Sequence, residues 1–374
     1  MDERLLSALS EVNDPELHKD LVSLGMIKEA ELADGLARIT VELTTPACPM
    51  KDRIRGDIEA AVDKEVPGTR VEIQWTAQVK KSRRGGGLAN SGPIPSLEKV
   101  KNIILVASGK GGVGKSTVAA NLACALSSTG SQVGLMDADI YGPSIPTMFN
   151  MHDEVFSKDG KTIEAHVQYG LRLMSMGFFV PPDKAMIWRG PMLMSAVTQF
   201  LKDVAWGELD YLVIDLPPGT GDVQLTLAQT LKVTGAVIVS TPQSVAIADV
   251  VRAKAMFDSV KIPILGLVEN MSYFVCDGCD KKHFIFDEDG GKAIASKFGI
   301  EYLGDLPIEP ALRAAGDQGM PIVEEDPDSD SAQRFLSLAR KLAGIISVRQ
   351  AQAPPEAKVA RTSEEARRSL PIVN

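Results

Sequence analysis

Continuous apolar segments alternate with helical segments over most of the chain. Residues 103–107, 212–214 and 236–239 are runs of aliphatic residues, many of them β-branched. Such runs are typical of strands that are buried on both faces of a sheet. Segments of helical character separate them, which favours parallel strands joined by crossover helices. From about residue 99 to 348, the pattern therefore predicts an α/β fold with a mainly parallel sheet covered by helices on both faces.

The beginning of the chain has a different pattern. Residues 36–43 alternate between apolar and polar and predict a strand, and residues 71–75 predict another. Residues 5–9 and 54–62 predict helices. We therefore expect residues 1–79 to form a small N-terminal α+β domain.

Two segments lack regular periodicity. Residues 80–98 begin with a basic cluster and continue with glycine, serine and proline, which predicts a flexible linker. Residues 349–374 are rich in alanine, proline, glutamate and arginine, and we expect a disordered tail. The α/β domain at residues 99–348 lies between these two segments.

A glycine-rich turn follows the first predicted strand of the α/β domain. It matches G-x-x-x-x-G-K-[ST] from Gly109 to Ser116 and leads into a helix, the context that a phosphate-binding loop requires. Glycines let successive backbone N–H groups surround a phosphate, and the helix N-terminus adds a favourable dipole. The sequence thus predicts a P-loop NTPase that binds ATP and Mg²⁺. The loop residues expected to bind the nucleotide are Gly109, Lys110, Gly111, Gly112, Val113, Gly114, Lys115, Ser116 and Thr117.

Acidic residues end two later strands. Asp137 and Asp139 follow the second strand, and Asp215 ends an apolar segment of Walker B form. Carboxyl ends of parallel strands face the ligand crevice, so Ser116 and Asp215 are the expected Mg²⁺ ligands. Lys115 is expected to reach the terminal phosphates.

A C-x-x-C pair, Cys276 and Cys279, comes shortly after a strand that ends in Asn270. This spacing lets two thiolates bind one metal centre, but one pair gives fewer ligands than structural zinc or a cubane cluster usually takes. Either His283 and a further group complete the site, or two chains share it across a two-fold axis. A redox pair and half of a zinc knuckle are alternatives.

Lys110 is an extra lysine early in the loop. With residues 111–117, it resembles the deviant Walker A loop of the MinD/ParA/nitrogenase-iron-protein class of dimeric ATPases. The resemblance implies that Lys110 reaches the partner's nucleotide across a homodimer and acts in catalysis with Lys115. It also implies that Asp139 orients the attacking water and that Asn270 reads the adenine.

Further motifs occur in the same order as in the Mrp/ApbC-type iron–sulfur cluster carrier ATPases, which the chain resembles over most of its length. They are residues 137–144, 188–191, 215–222 and 270–272, the last ahead of C-x-x-C. The resemblance implies a homodimer with a bridging [4Fe–4S] cluster on paired C-x-x-C motifs. It implies slow ATP hydrolysis, and cluster transfer from assembly scaffold proteins to apo-proteins.

The N-terminal domain resembles the MIP18-like domain of iron–sulfur assembly proteins. Residues 14–16, 24–25 and 45–49 carry this resemblance, which implies metal or cluster handling at Cys48. Cys48 is expected near a helix N-terminus, where a thiolate is favoured, although a buried free cysteine is an alternative. Arg189 could serve the dimer face or the nucleotide, or be a surface arginine.

The overall charge and the absence of long apolar runs argue against certain classes of partner. The 374-residue chain has a formal net charge of −9, which argues against broad nucleic-acid binding. No apolar run approaches the length of a membrane span and no secretory signal begins the chain, so we expect a cytoplasmic protein without membrane contact. The alternative functions are a ParA/MinD-like positioning ATPase and a nucleotide-dependent scaffold, each with structural zinc at C-x-x-C.

Overall fold

The N-terminal domain is a three-stranded sheet packed against two helices. The computed structural model of the protein describes residues 1–82, 94–139, 142–153, 155–157, 159–179, 190–219 and 221–352. The elements of this domain are α1 (Glu3–Leu9), β1 (Ile27–Ala33), β2 (Leu36–Leu43), α2 (Lys51–Glu65) and β3 (Arg70–Ala77). Strand β2 is central, antiparallel to β1 and parallel to β3. The sequence pattern did not predict β1.

An eight-stranded sheet forms the centre of the α/β domain, in the order β13-β10-β9-β4-β8-β5-β7-β6. All neighbours in it are parallel except β6 and β7, so the predicted mainly parallel sheet is confirmed. Its strands are β4 (Val100–Ala107), β5 (Val133–Asp137), β6 (His166–Gln168), β7 (Leu171–Ser175), β8 (Leu209–Asp215), β9 (Gly235–Ser240), β10 (Ile264–Glu269) and β13 (Tyr302–Asp305). A separate hairpin consists of β11 (Phe274–Val275) and β12 (Lys282–His283).

Helices pack on both faces of this sheet. The buried apolar side chains of the sheet and its helices form two separate clusters. Helices α3 and α11 contribute to one cluster, and α5 and α7 contribute to the other. The helices are α3 (Lys115–Ser128), α4 (Ile145–Met148), α5 (Gly190–Asp203), α6 (Asp222–Thr230), α7 (Ser244–Ser259), α8 (Gly290–Phe298), α9 (Pro310–Gln318), α10 (Ile322–Glu325) and α11 (Asp330–Ala351). This arrangement confirms the predicted α/β fold class.

The N-terminal domain shares buried surface with the α/β domain. Ala47 and Val79 belong to the same apolar cluster as α3 and α11. The hydroxyl groups of Thr45 and Tyr211 lie 3.4 Å apart in this buried contact. Because apolar burial stabilises whichever surfaces it joins, the two sequence-defined domains stabilise one another.

The two segments without periodicity are partly structured. Pro95–Leu97 form a short 3-10 helix, and Leu97 is buried against α5 and its neighbours, so this end of the predicted linker is packed. Helix α11 continues to Ala351, beyond the predicted domain end at residue 348. Residues 83–93 of the linker and 353–374 of the tail lie outside the described residues.

Candidate nucleotide and metal sites

The glycine-rich loop joins β4 to α3, as the sequence predicts. Gly112 and Gly114 both have a φ of +78°, a conformation that L side chains rarely adopt. Gly114 immediately precedes α3, so the loop ends at a helix N-terminus. The backbone therefore has the form needed to surround a phosphate group.

Lys115 and Asp215 form a buried ion pair at the base of this loop. Register pairing places Asp215 opposite Val106 on the neighbouring strand, which brings the two motifs together. The Lys115 ammonium contacts Asp215 Oδ1 and lies 3.4 Å from Ser116 Oγ. Burial raises the pKa of the Asp215 carboxyl, and Lys115 opposes this effect.

The second oxygen of Asp215 gives a test of the expected Mg²⁺ site. Oδ2 is buried and has no hydrogen-bond partner among the residues that the structure describes, which is costly for a carboxylate oxygen. Ser116, whose hydroxyl also interacts with Asp215, supplies a further oxygen. A hard cation prefers such oxygen donors, so the residues fit Mg²⁺.

Asp137 and Asp139 lie at the carboxyl end of β5, but their surroundings differ. The Asp137 carboxylate accepts hydrogen bonds from the Asp139 N–H (3.0 Å), the Ile145 N–H (3.3 Å) and the Ser175 hydroxyl (3.0 Å). Burial and the nearby Asp215 raise the pKa of Asp137 to about 7. Asp137 therefore organises the loop. Among the described residues, Asp139 accepts one hydrogen bond, from the Gly142 N–H at 3.3 Å.

Asn270 contacts the phosphate-binding loop. Its side-chain Nδ2 donates to the Val113 carbonyl at 2.9 Å, although β10, the strand that it follows, is not adjacent to β4. A Cβ on Gly114 would come closer than 3.0 Å to the same nitrogen. The loop and the segment after β10 are thus packed together, with no space between them for a larger residue.

Lys110 is held within its own chain. Its ammonium donates to the Gln243 side-chain carbonyl at 3.0 Å, and Gln243 immediately precedes α7. On the same side of the loop, Gly109 lies so close to Asp249 of α7 that a Cβ would overlap it. The sequence pattern did not indicate the contact with Gln243 or the one with Asp249.

The C-x-x-C pair lies at the tip of the β11–β12 hairpin. The Cys276 N–H donates to the Lys281 carbonyl at 3.0 Å, and the Asp280 N–H donates to the Cys276 carbonyl at 2.8 Å. A backbone N–H from Gly278 and the Cys279 thiol lower the pKa of Cys276. The metal-ligand atoms of Cys276, Cys279 and His283 all lie within 4.8 Å of one another.

A buried carboxylate fixes the base of this hairpin. Glu269, the last residue of β10, accepts a hydrogen bond from the Ser272 hydroxyl at 2.7 Å and another from the Gly291 N–H. It thereby joins the end of β10 to Ser272, just before the hairpin, and to the start of α8 after the hairpin. Sequence reasoning missed Glu269, whose only signal was an acid at a strand end.

Cys48 differs from its expected state. It lies just before α2, but burial raises the pKa of its thiol to about 11, so the expectation of a favoured thiolate was wrong. The nearby carboxylates of Glu16 and Asp14 act in the same direction. Asp14 itself caps a turn, accepting from the Glu16 and Leu17 N–H groups, and no helix follows it. Cys124 is buried in α3, and Arg189 lies outside the described residues.

Comparison with protein families identifies the chain. The model described as NUBPL iron-transfer P-loop NTPase matches residues 99–343, and a second model, iron-sulfur cluster assembly protein, matches residues 2–75. The chain belongs to the NUBPL iron-transfer P-loop NTPase family. The predicted cluster-carrier family and MIP18-like N-terminal domain are thereby confirmed.

Individual relatives of the chain support this family assignment. An iron-sulfur cluster carrier protein of Deinococcus radiodurans is 48% identical over 358 residues, covering 95% of this chain and 99% of the relative. The Fe-S cluster assembly factor HCF101, chloroplastic, of Arabidopsis thaliana is 43% identical over 350 residues, covering 92% of this chain and 63% of that protein.

A solved structure supports the fold. The nucleotide-binding protein from Archaeoglobus fulgidus, in complex with ADP and with cobalt found in it, is 41% identical. It covers 63% of this chain and 92% of its own, with a TM-score of 0.55. In the part of this family member that the structure describes, no helix has the combined length and apolar character of a membrane span.

Proposed function

We propose that this protein is an ATP-dependent carrier that binds an iron–sulfur cluster at Cys276 and Cys279 and transfers it to apo-proteins. The observation that carries the proposal is the position of the cysteine hairpin. The hairpin begins at Phe274, shortly after Asn270, and Asn270 contacts the P-loop. The chain belongs to an iron-transfer NTPase family. The names of the Deinococcus and Arabidopsis relatives support a cluster as the cargo.

In the nucleotide half of this proposal, residues 109–117 bind the phosphates of ATP. Mg²⁺, held by Ser116 and Asp215, would neutralise phosphate charge. Lys115 binds the terminal phosphates, and Asp139, at the carboxyl end of β5, orients the attacking water. Asn270 reads the adenine. The ADP bound in the Archaeoglobus relative supports nucleotide binding at this fold.

The cluster half of the proposal requires a homodimer. Two C-x-x-C hairpins related by a two-fold axis supply four thiolates, the number that a [4Fe–4S] cluster takes. In the same dimer, Lys110 leaves Gln243 and reaches the nucleotide of the partner, where it neutralises charge on the transferring phosphoryl group. We propose the reducing cytoplasm as the compartment, because free thiols persist there.

ATP and cluster are proposed to communicate through the segment between Glu269 and Cys276. A nucleotide that displaces the Asn270 amide from Val113 moves the residue next to Glu269, whose carboxylate accepts hydrogen bonds from Ser272 before the hairpin and from Gly291 after it. ATP hydrolysis is expected to be slow, with transfer from an assembly scaffold to an apo-protein as the coupled step. Neither nucleic acid nor membrane is proposed as a partner.

Anaerobic iron–sulfide reconstitution tests this function. We expect the wild-type chain to take up about four iron and four sulfide per dimer, with a broad charge-transfer absorption, and to activate an apo-ferredoxin. The Cys276→Ala/Cys279→Ala variant is expected to lose all three signals, whereas Cys48→Ala retains them. Tightly held zinc with no iron uptake after its removal would refute the carrier function.

A further inference from the structure

The β11–β12 hairpin brings a histidine to the cysteine pair. Phe274 pairs with His283 across the two antiparallel strands, and Val275 pairs with Lys282. Directly paired residues have side chains on the same face, and so do residues two apart on one strand. Cys276 is two residues beyond Phe274, so this register places Cys276 and His283 on one face of the hairpin.

The spacing of the three side chains suits a single ion. The sulfur atoms of Cys276 and Cys279 and an imidazole nitrogen of His283 lie within 4.8 Å of one another. Ligands around one tetrahedral ion with metal–sulfur bonds of ~2.3 Å are separated by ~3.8 Å. Small rotations of these side chains would therefore bring all three onto one metal, without any contribution from a second chain.

Contacts with the Tyr273 ring hold the hairpin in place. The Lys282 ammonium lies 4.1 Å from the centre of the Tyr273 ring, and the Arg334 guanidinium lies 5.6 Å from it. Tyr273 is buried, and it also packs edge-on against Phe284. The residues on either side of His283 are thus anchored, which reduces the conformational freedom that the histidine would lose on binding a metal.

We propose that each chain alone binds one thiophilic divalent ion, such as Zn²⁺, Fe²⁺ or Co²⁺, through Cys276, Cys279 and His283. The two thiols release their protons on binding, and His283 binds as the neutral imidazole. Cys279 and His283 are exposed, so the fourth position of the ion faces solvent and accepts water or an incoming ligand.

This single-ion site goes beyond the proposed carrier function, because one chain suffices and His283 is a ligand. Both sites use the same thiolates. If the carrier function also holds, a bound Zn²⁺ ion therefore competes with cluster loading at the hairpin.

Anaerobic titration of the metal-free, full-length chain with Co²⁺ tests the proposal, since tetrahedral Co²⁺ with thiolate ligands absorbs in the near ultraviolet and visible. We expect saturation at one Co²⁺ per chain. Replacing a residue that only hydrogen-bonds a ligand already weakens metal sites by 10–100-fold, so His283→Ala is expected to weaken Co²⁺ binding by about tenfold or more and to change the visible bands. His283→Cys, which restores a third ligand, is expected to recover the affinity.

His152→Ala is the matched control, because His152 is an exposed histidine outside the hairpin. It should titrate as the wild type does. A His283→Ala variant with wild-type affinity and spectrum would overturn the proposal, as would saturation at one Co²⁺ per two chains. The carrier function fails separately: a wild-type chain that binds Co²⁺ through His283 but takes up no cluster would refute only that function.

Discussion

Replacing Gly114 with alanine should uncouple the phosphate-binding loop from the segment that leads to the cysteine hairpin. Gly114 has a φ of +78°, and an added Cβ would lie closer than 3.0 Å to Asn270 Nδ2. The alanine therefore has two separate costs: an unfavourable backbone conformation, and displacement of the Asn270 amide from the Val113 carbonyl.

The two costs can be estimated. A left-handed conformation costs about 1–2 kcal/mol for a residue other than glycine. A buried amide and carbonyl that lose their 2.9 Å hydrogen bond cost about 1–3 kcal/mol. Gly114→Ala should thus lower the free energy of unfolding by about 2–5 kcal/mol.

Gly112 provides the matched control. It has the same φ in the same loop, but nothing lies within 4 Å of an added Cβ. Gly112→Ala should therefore cost only the conformational part, about 1–2 kcal/mol. Urea unfolding of the nucleotide-free chain, followed by circular dichroism, measures both variants.

A double-mutant cycle isolates the contact. Asn270→Ala removes the amide that the new Cβ would displace, so Gly114→Ala/Asn270→Ala should cost about 1–3 kcal/mol less than the sum of the single variants. Additivity within about 0.5 kcal/mol, or equal costs for Gly112→Ala and Gly114→Ala, would refute the reasoning.

Two further predictions follow from the shifted pKa values of Cys48, Cys276 and Asp137. With a pKa of about 11, Cys48 should react with iodoacetamide at pH 8 about a hundredfold more slowly than an ordinary thiol. Cys276, whose pKa is lowered, should react faster than an ordinary thiol. Mass spectrometry of the metal-free chain measures both rates, and equal rates for the two thiols would contradict these pKa shifts. Asp137 has a pKa of about 7 in the folded chain against 3.8 as its ordinary value, so the folded state holds an extra proton between these values and stability falls as pH rises through this window. Asp137→Asn loses a hydrogen-bond acceptor and should be less stable than the wild type at every pH, but its stability should not fall as pH rises. Melting temperatures of the two Mg²⁺-free proteins from pH 5 to 8 measure this. If the melting temperature of the variant falls with pH as steeply as that of the wild type, Asp137 is not the titrating group.

The sequence predicted those parts of the site that are local. The glycine loop and Lys115 are contiguous, and Asp215 could be added because parallel strands end at a common edge. The contact of Asn270 with Val113 and the bonds of Glu269 to Ser272 and Gly291 depend on how distant segments pack, which a single sequence does not reveal.

The errors have similar causes. The expectation of a thiolate at Cys48 used only its distance from a helix N-terminus and ignored burial and two nearby carboxylates. Strands β6 and β7 are short and separated by a tight turn, so their alternation was too brief to recognise. The hairpin register that brings His283 to Cys276 rests on two-residue strands, for which no periodic pattern exists.

The burial of Ala47 and Val79 in the core of the α/β domain affects how the chain can be divided. Two family models meet between residues 75 and 99, so the polypeptide looks like two modules joined by a linker. Most apolar side chains of the first module form a core of their own, but Ala47 and Val79 are buried in the core of the α/β domain. Removing the first module would therefore expose the apolar surface around Tyr211 to water. The two modules should therefore melt in a single calorimetric transition. A fragment that lacks the first module should be less stable than the same residues within the whole chain.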